Sequence, residues 1–284
     1  MKRNNFIFLV VNIGWVALLY GPSLALAGPS YLGTAQNFAV LGGSTVTCTG
    51  ATIVTGDLGV SPGAAITGFP VPCTDTGTIH TADATALTAQ NDLTTAYNAL
   101  ASQPCNLDLT GQDLGTVGTL TPGVYCFSSS AQLTGTLTLN ALGNPNAVFI
   151  FKMGSTLTTA SNASVSVING GSDCGVSWQV GSSATLGTNT ALKGNIVALT
   201  SITLNTGASV SGGRALARNG AVTLDTNAVS SAVCAGFAAA GLPGPGSGVP
   251  VVAGAIPTLS EWAMITLAAL LTMFGFVALR RYTV

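Results

Sequence analysis

From Phe38 onward the chain alternates short apolar runs with polar and turn-forming residues, a period of two that marks strands with every second side chain facing a core. The first runs are Phe38-Ala39-Val40-Leu41, Ser44-Thr45-Val46-Thr47 and Thr52-Ile53-Val54, divided by Gly42-Gly43 and Gly50. Gly56-Asp57-Leu58-Gly59-Val60-Ser61-Pro62-Gly63 supplies turn chemistry. Further strands are expected at Gly118 to Phe127, Leu133 to Leu139, Ala147 to Phe151, Val176 to Val180 and Asn195 to Leu199. The Ala147 to Phe151 run is apolar at each position, which fits a strand covered on both sides. Between these runs the period changes. Ile79, Ala82, Ala86, Ala89, Leu93, Ala96, Tyr97 and Leu100 recur every three or four residues, predicting a helix over about 79–101 that ends before Pro104. Its small alanines permit close packing along one side of the β body.

The strand pattern also repeats. Thr156-Leu157-Thr158-Thr159, Thr185-Leu186-Gly187-Thr188, Thr203-Leu204-Asn205-Thr206 and Thr223-Leu224-Asp225-Thr226 share Thr-Leu-x-Thr at offsets of 29, 18 and 20 residues. Such periods mark a solenoid in which each coil needs its neighbours to bury its apolar side. An inward Leu places the preceding Thr outward, and coils stacked about 4.8 Å apart turn those residues into a ladder. Threonine joins a methyl to a hydroxyl, and its branched Cβ restricts χ1, so an ordered array loses little rotamer entropy on engaging a regular surface.

Both ends carry addressing signals. Lys2-Arg3, the apolar run Phe6 to Tyr20 and the small-residue site Ala25-Leu26-Ala27 predict a signal peptide over 1–27 and an exported body over 28–237. Residues 238–255 form a Gly- and Pro-rich linker. Residues 262–279 are uncharged and long enough to span a bilayer, and Arg280-Arg281 close the stretch. With Ile256-Pro257-Thr258-Leu259 and Trp262 ahead of it, the tail over 256–284 resembles the IPTL-type C-terminal sorting signal. The resemblance implies an exosortase-type enzyme as partner, membrane contact before processing, and a cell-surface or extracellular location.

Within the body only Lys152, Lys193, Arg214 and Arg218 face eight aspartates, which excludes a basic nucleic-acid interface. Six cysteines in an exported chain predict disulfides, and pairing of sequence neighbours gives Cys48 with Cys73, Cys105 with Cys126 and Cys174 with Cys234. No cofactor or metal is expected: there is no C-x-x-C, and His80 is the only histidine, more apt as a cap or core contact than as a base. An enzyme acting on glycans would need paired acids. The only glutamate is Glu261 beside the tail, and a meeting of Asp225 with Arg214 across coils would read as an ion pair.

Gly33-Thr34-Ala35-Gln36-Asn37-Phe38-Ala39-Val40-Leu41, the Gly56 to Gly63 segment, Leu120-Thr121-Pro122-Gly123-Val124-Tyr125, Trp178 to Ala184 and Gly213-Arg214-Ala215-Leu216-Ala217 together resemble the ice-binding-like family over about Tyr31 to Cys234. The resemblance implies a mainly β fold, a right-handed β-solenoid of triangular cross-section with coils stacked out of sequence order and one long α-helix alongside. It also implies a non-catalytic activity, adsorption to ice crystals. The family's Thr-Ala/Gly-x-Thr/Asn pattern is met in full by Thr159-Ala160-Ser161-Asn162. Carried to the other coils, it gives the ice-binding candidates Thr159, Ser161, Asn162, Thr188, Thr190, Thr206, Ser209 and Thr226. A cell-surface adhesin or matrix protein on the same fold, without ice binding, is the alternative.

Overall fold

The structure, a computed structural model, describes residues 31–231. The signal peptide, residues 28–30 and 232–237 of the predicted body with Cys234, the linker 238–255 and the sorting tail with its apolar span 262–279 lie outside the described residues. The described chain is mainly β, with one long helix and three sheets of nine, seven and eight strands in which each strand pair is parallel.

The chain visits the three sheets in turn. In one circuit Phe149–Met153 joins the nine-stranded sheet, Leu157–Thr159 the seven-stranded sheet and Ser164–Ile168 the eight-stranded sheet. Val176–Val180 then pairs with Phe149–Met153 to begin the next circuit. Parallel neighbours need a long crossover, and here the other two strands of each circuit provide it.

Circuits do not stack in chain order. Ala215–Ala217 of the last circuit pairs with Phe38–Gly42 of the first, and Asp57–Val60 lies beyond. The chain therefore passes from Ile79–Thr81 at one edge of the nine-stranded sheet to Leu107–Asp108 at the other. Helix α1 (Ala84–Ala101) makes that crossing. Its 18 residues extend about 27 Å at 1.5 Å each, most of the roughly 38 Å covered by the strand spacings beneath it. The stripe Ala89, Leu93, Ala96 and Leu100 packs on Phe38, Leu41, Leu216, Val197 and Ile150, which come from four strands of the nine-stranded sheet.

α1 is shorter than its periodicity predicts. Ile79–Thr81 pairs in register with Leu58–Val60 as an edge strand, and Ala82 turns at φ 49° before Asp83 caps the helix by accepting from the Ala86 N–H at 2.8 Å. The spacing of Ile79 and Ala82 matches the helical stripe, but backbone pairing claims the segment. His80 Nδ1 lies 2.7 Å from Asp83 Oδ2 and its ring packs on Phe38, so it supports the cap.

The doubly apolar run behaves as predicted: Phe149 and Phe151 enter the space enclosed by the sheets, while Ile150 points outward beneath α1. Inside, Tyr125, Phe151 and Trp178 stack across three circuits at centroid separations of 5.3 and 4.3 Å. The Trp178 indole N–H donates to the Lys193 carbonyl at 2.9 Å, satisfying its polar edge. Cys48 is bonded to Cys73 and Cys105 to Cys126; Cys174 is also disulfide-bonded, and Cys234 lies outside the described residues.

Candidate functional site: the threonine sheet

The seven-stranded sheet carries an outward threonine column. Thr158, Thr185, Thr203, Thr223, Thr47 and Thr67 are consecutive register partners, with Gln132 continuing the column past Thr158. All but Thr67, which follows the inward Ile66 and precedes Gly68, sit between two inward residues, as in Ile202-Thr203-Leu204 and Val46-Thr47-Cys48, so alternation directs the side chains outward. Two residues earlier runs a second column, Ser130, Thr156, Ser183, Ser201, Ala221 and Thr45. Its hydroxyls bond sideways: Thr156 Oγ1 donates to Ser130 Oγ at 2.9 Å, and the Ala221 N–H donates to Ser201 Oγ at 3.2 Å. Adjacent columns stand about 6.6 Å apart along the strands and rows about 4.8 Å apart across them, a two-dimensional lattice of methyls and hydroxyls.

The sheet's charge is sparse. The body's four cations sit on the other two sheets or beside their strands. Asp113, at the terminal circuit, turns its carboxylate onto the Gly115 and Thr134 N–H groups. Asp225, opposite Thr49 in the register, accepts from Thr206 Oγ1 and, at 3.0 Å, from Thr226 Oγ1. It does not meet Arg214, whose buried guanidinium donates to the Gln36 carbonyl and, at 2.9 Å, to Asn195 Oδ1 behind a different sheet.

The residues taken from the Thr-Ala/Gly-x-Thr/Asn pattern do not lie on this flat column. They gather at the corner where the seven-stranded sheet turns into the eight-stranded one, and two of them point inside. Thr159 and Thr190 are 3% and 0% exposed, with their hydroxyls 2.7 Å apart and Thr159 Oγ1 accepting from the Gly187 N–H. As ice contacts they are corrected: Thr159 holds the inward place that Leu186 and Leu204 hold in the next circuits, and its hydroxyl is satisfied by the buried partner. Asn162 is exposed, but it occupies a left-handed corner at φ 61° that Asn189, Gly207, Thr226 and Gly50 fill in the following circuits. Asn and Gly suit that backbone, so the identity of Asn162 follows from the turn. Ser161, Thr188 and Thr206 form a short exposed column at the corner, and Ser209 opens a strand of the eight-stranded sheet.

The repeat itself needs one adjustment. The copies at Thr185, Thr203 and Thr223 are in register, whereas in the first copy Thr158, not Thr156, pairs with Thr185. A two-residue shift leaves each side chain on the same face, so alternation cannot detect it.

Comparison with known proteins fits this geometry. Residues 40–230 match the ice-binding-like family. The chain belongs to that family. It is 63% identical over 206 residues to an ice-binding protein of Nostoc sp. (strain HG1), covering 72% of this chain and 76% of that one. An ice-binding protein of Flavobacterium frigoris (strain PS1) is 34% identical over 215 residues, covering 70% and 75%. The crystal structure of an ice binding protein from an Antarctic biological consortium superposes with a TM-score of 0.68 at 44% identity, covering 79% of this chain and 95% of that one. Residues 255–281 match the IPTL-CTERM motif.

Within this ice-binding-like body Asp225 gives a pH test. Its bond from Thr206, with further ones from Thr226 and Thr49, holds the carboxyl below the usual carboxylate range. A depressed folded-state pKa means that the stabilisation is present above the unfolded value of about 4 and disappears as pH falls through the folded one. Thermal unfolding of wild type and Asp225→Asn is therefore expected to differ most near neutral pH and to converge toward pH 2. A gap independent of pH would contradict this.

Proposed function

We propose that the protein is exported and adsorbs to ice through the seven-stranded sheet, displayed on a right-handed β-solenoid of triangular cross-section. The observation that carries this reading is the unbroken register of Thr158, Thr185, Thr203, Thr223, Thr47 and Thr67. For a single outward threonine, strand propensity is explanation enough. Six in register make a repeating surface, and ice is a repeating ligand without charge to grip. The methyls exclude liquid water from the troughs between rows, the hydroxyls hold waters at fixed spacings, and backbone bonding from circuit to circuit keeps both from relaxing. Relatives named as ice-binding proteins support the same conclusion.

The activity is non-catalytic in this reading, since Asp225 is spent on threonine hydroxyls and Arg214 on holding the chain at Gln36. The IPTL-CTERM match supports export with a sorting tail, an exosortase-type partner and membrane contact through 262–279 before processing. An ice-binding body so displayed would hold a cell against ice, which unites the adsorption and adhesin readings.

The test is thermal hysteresis with recrystallisation inhibition on the disulfide-bonded protein. Crystal growth arrested below the melting point is expected. A folded protein that leaves growth and recrystallisation unchanged would reduce it to a surface-displayed β body with a different ligand.

A further inference from the structure

Away from the threonine sheet, a row of polar side chains lies where α1 fails to cover the nine-stranded sheet. Asp108, Cys126, Lys152 and Gln179 are consecutive register partners on its outer side. The next two positions, Val197 and Leu216, are covered by α1. The helix stops at Ala101, and Cys105 is tied down to Cys126, leaving a groove of about 510 Å³ beside Tyr97. That volume is within the range of small-molecule sites.

Two groups in the groove are unusual. Gln179 is 5% exposed, and its carboxamide lines the groove, where it makes no protein hydrogen bond among the described residues and its polar atoms face the groove's opening. Beside it Lys152 donates one ammonium proton to the Gln103 carbonyl at 2.6 Å, as a cation near a helix C-terminus does, and keeps two protons free. Partial burial draws the head away from water and lowers its pKa from the ordinary lysine value. Helix capping explains the first proton of Lys152 and leaves the other two, with the Gln179 carboxamide, as polar groups facing the groove. Beyond Cys126, the Asp108 carboxylate is fixed by the Thr110 N–H and hydroxyl at 2.8 and 2.6 Å, placing a negative charge at the far end that opposes a second one on a ligand.

We propose that this groove binds a small organic monocarboxylate, with its oxygens on Lys152 Nζ and Gln179 Nε2 and its apolar part against Tyr97. The site is independent of ice binding, because it opens on a different sheet from the threonine column.

The experiment is an NMR titration of the intact disulfide-bonded protein with sodium butyrate, following the Gln179 side-chain NH₂ signals, with sodium phosphate as the dianionic comparison. Saturable shifts with a dissociation constant on the order of millimolar are expected for butyrate, and phosphate should bind roughly tenfold more weakly. Lys152→Met should weaken butyrate by at least about tenfold and leave thermal hysteresis unchanged. If that variant does not fold, Gln179→Leu, which retains the helix cap and is followed through the backbone amide signals of the groove residues Met153 and Gly181, should give the same loss. Shifts that rise linearly without saturation, equal binding of phosphate, or butyrate affinity unchanged in a folded variant would overturn the assignment.

Discussion

Thr203→Tyr is expected to lower thermal hysteresis at a fixed protein concentration by at least about tenfold, equivalent to ~1.4 kcal/mol of adsorption free energy, without loss of folding. Thr203 is an interior member of the column, with Thr185 and Thr223 as its register partners on either side. Rows about 4.8 Å apart leave no room for a phenol ring to lie flat between them. The ring must stand above the surface and lift neighbouring threonines from any plane they contact. No cavity or buried polar group is created, because the side chain already points out, and tyrosine suits a strand as well as threonine does. The unfolding free energy should therefore move within the range of an ordinary surface change, about ±0.5 kcal/mol. Thr206→Tyr provides the contrast: Thr206 lies on the corner, so its replacement should cost less. Activity lost from Thr206→Tyr but retained in Thr203→Tyr would move the binding surface from the flat sheet to the corner.

The comparison of those two residues shows what the sequence makes legible. Alternation in Thr-Leu-x-Thr correctly sends the Thr before each inward Leu outward, as at Thr185, Thr203 and Thr223. The second Thr of the last three copies lies beyond the strand, where backbone conformation and not alternation decides its direction. This is why Thr206 is at a corner and Thr226 occupies a left-handed turn at φ 55°. Thr159 departs from its expected role for a different reason: it is the next inward residue of its strand, as alternation requires, and its pairing with the buried Thr190 shows how a hydroxyl is tolerated there.

Thr47 and Thr67 escape the sequence for another reason. Their segments, Thr45-Val46-Thr47-Cys48 and Ala65-Ile66-Thr67, alternate as clearly as the later coils. Chain order, however, puts them more than a hundred residues from Thr223, while the fold sets Thr47 directly against it. The helix offers a clue after the fact. A single crossing of the whole stack is required only if coils before and after it lie at opposite ends, so a long helix between two sets of strands is the signature of out-of-order stacking. Local periodicity identified the helix, but parallel pairing shortened it, because Ile79–Thr81 satisfies more backbone groups as an edge strand than as a frayed first turn.

The second large effect is on stability. Trp178→Ala should destabilise the protein by about 3–5 kcal/mol, lowering the melting temperature by roughly 6–20 °C for a body of this size. Trp178 is fully buried, its ring stacks on Phe151 at 13° between planes, and Phe151 in turn stacks on Tyr125. Truncation opens a cavity that the flanking strands cannot close, because each is held at its spacing by pairing on both sides. It also strips the Lys193 carbonyl of the indole N–H. Trp178→Phe separates the two contributions: it keeps a stacked ring but loses the donor, and should fall between wild type and alanine. The measurement is thermal unfolding with disulfides intact, alongside thermal hysteresis near the freezing point. There the folded fraction of Trp178→Ala should still arrest ice growth, since the outward threonines are bonded to backbones that the core substitution leaves paired. A melting temperature within about 2 °C of wild type, less than 1 kcal/mol on the same scale, would mean that the stack contributes little and that the circuits are held chiefly by backbone pairing and disulfides.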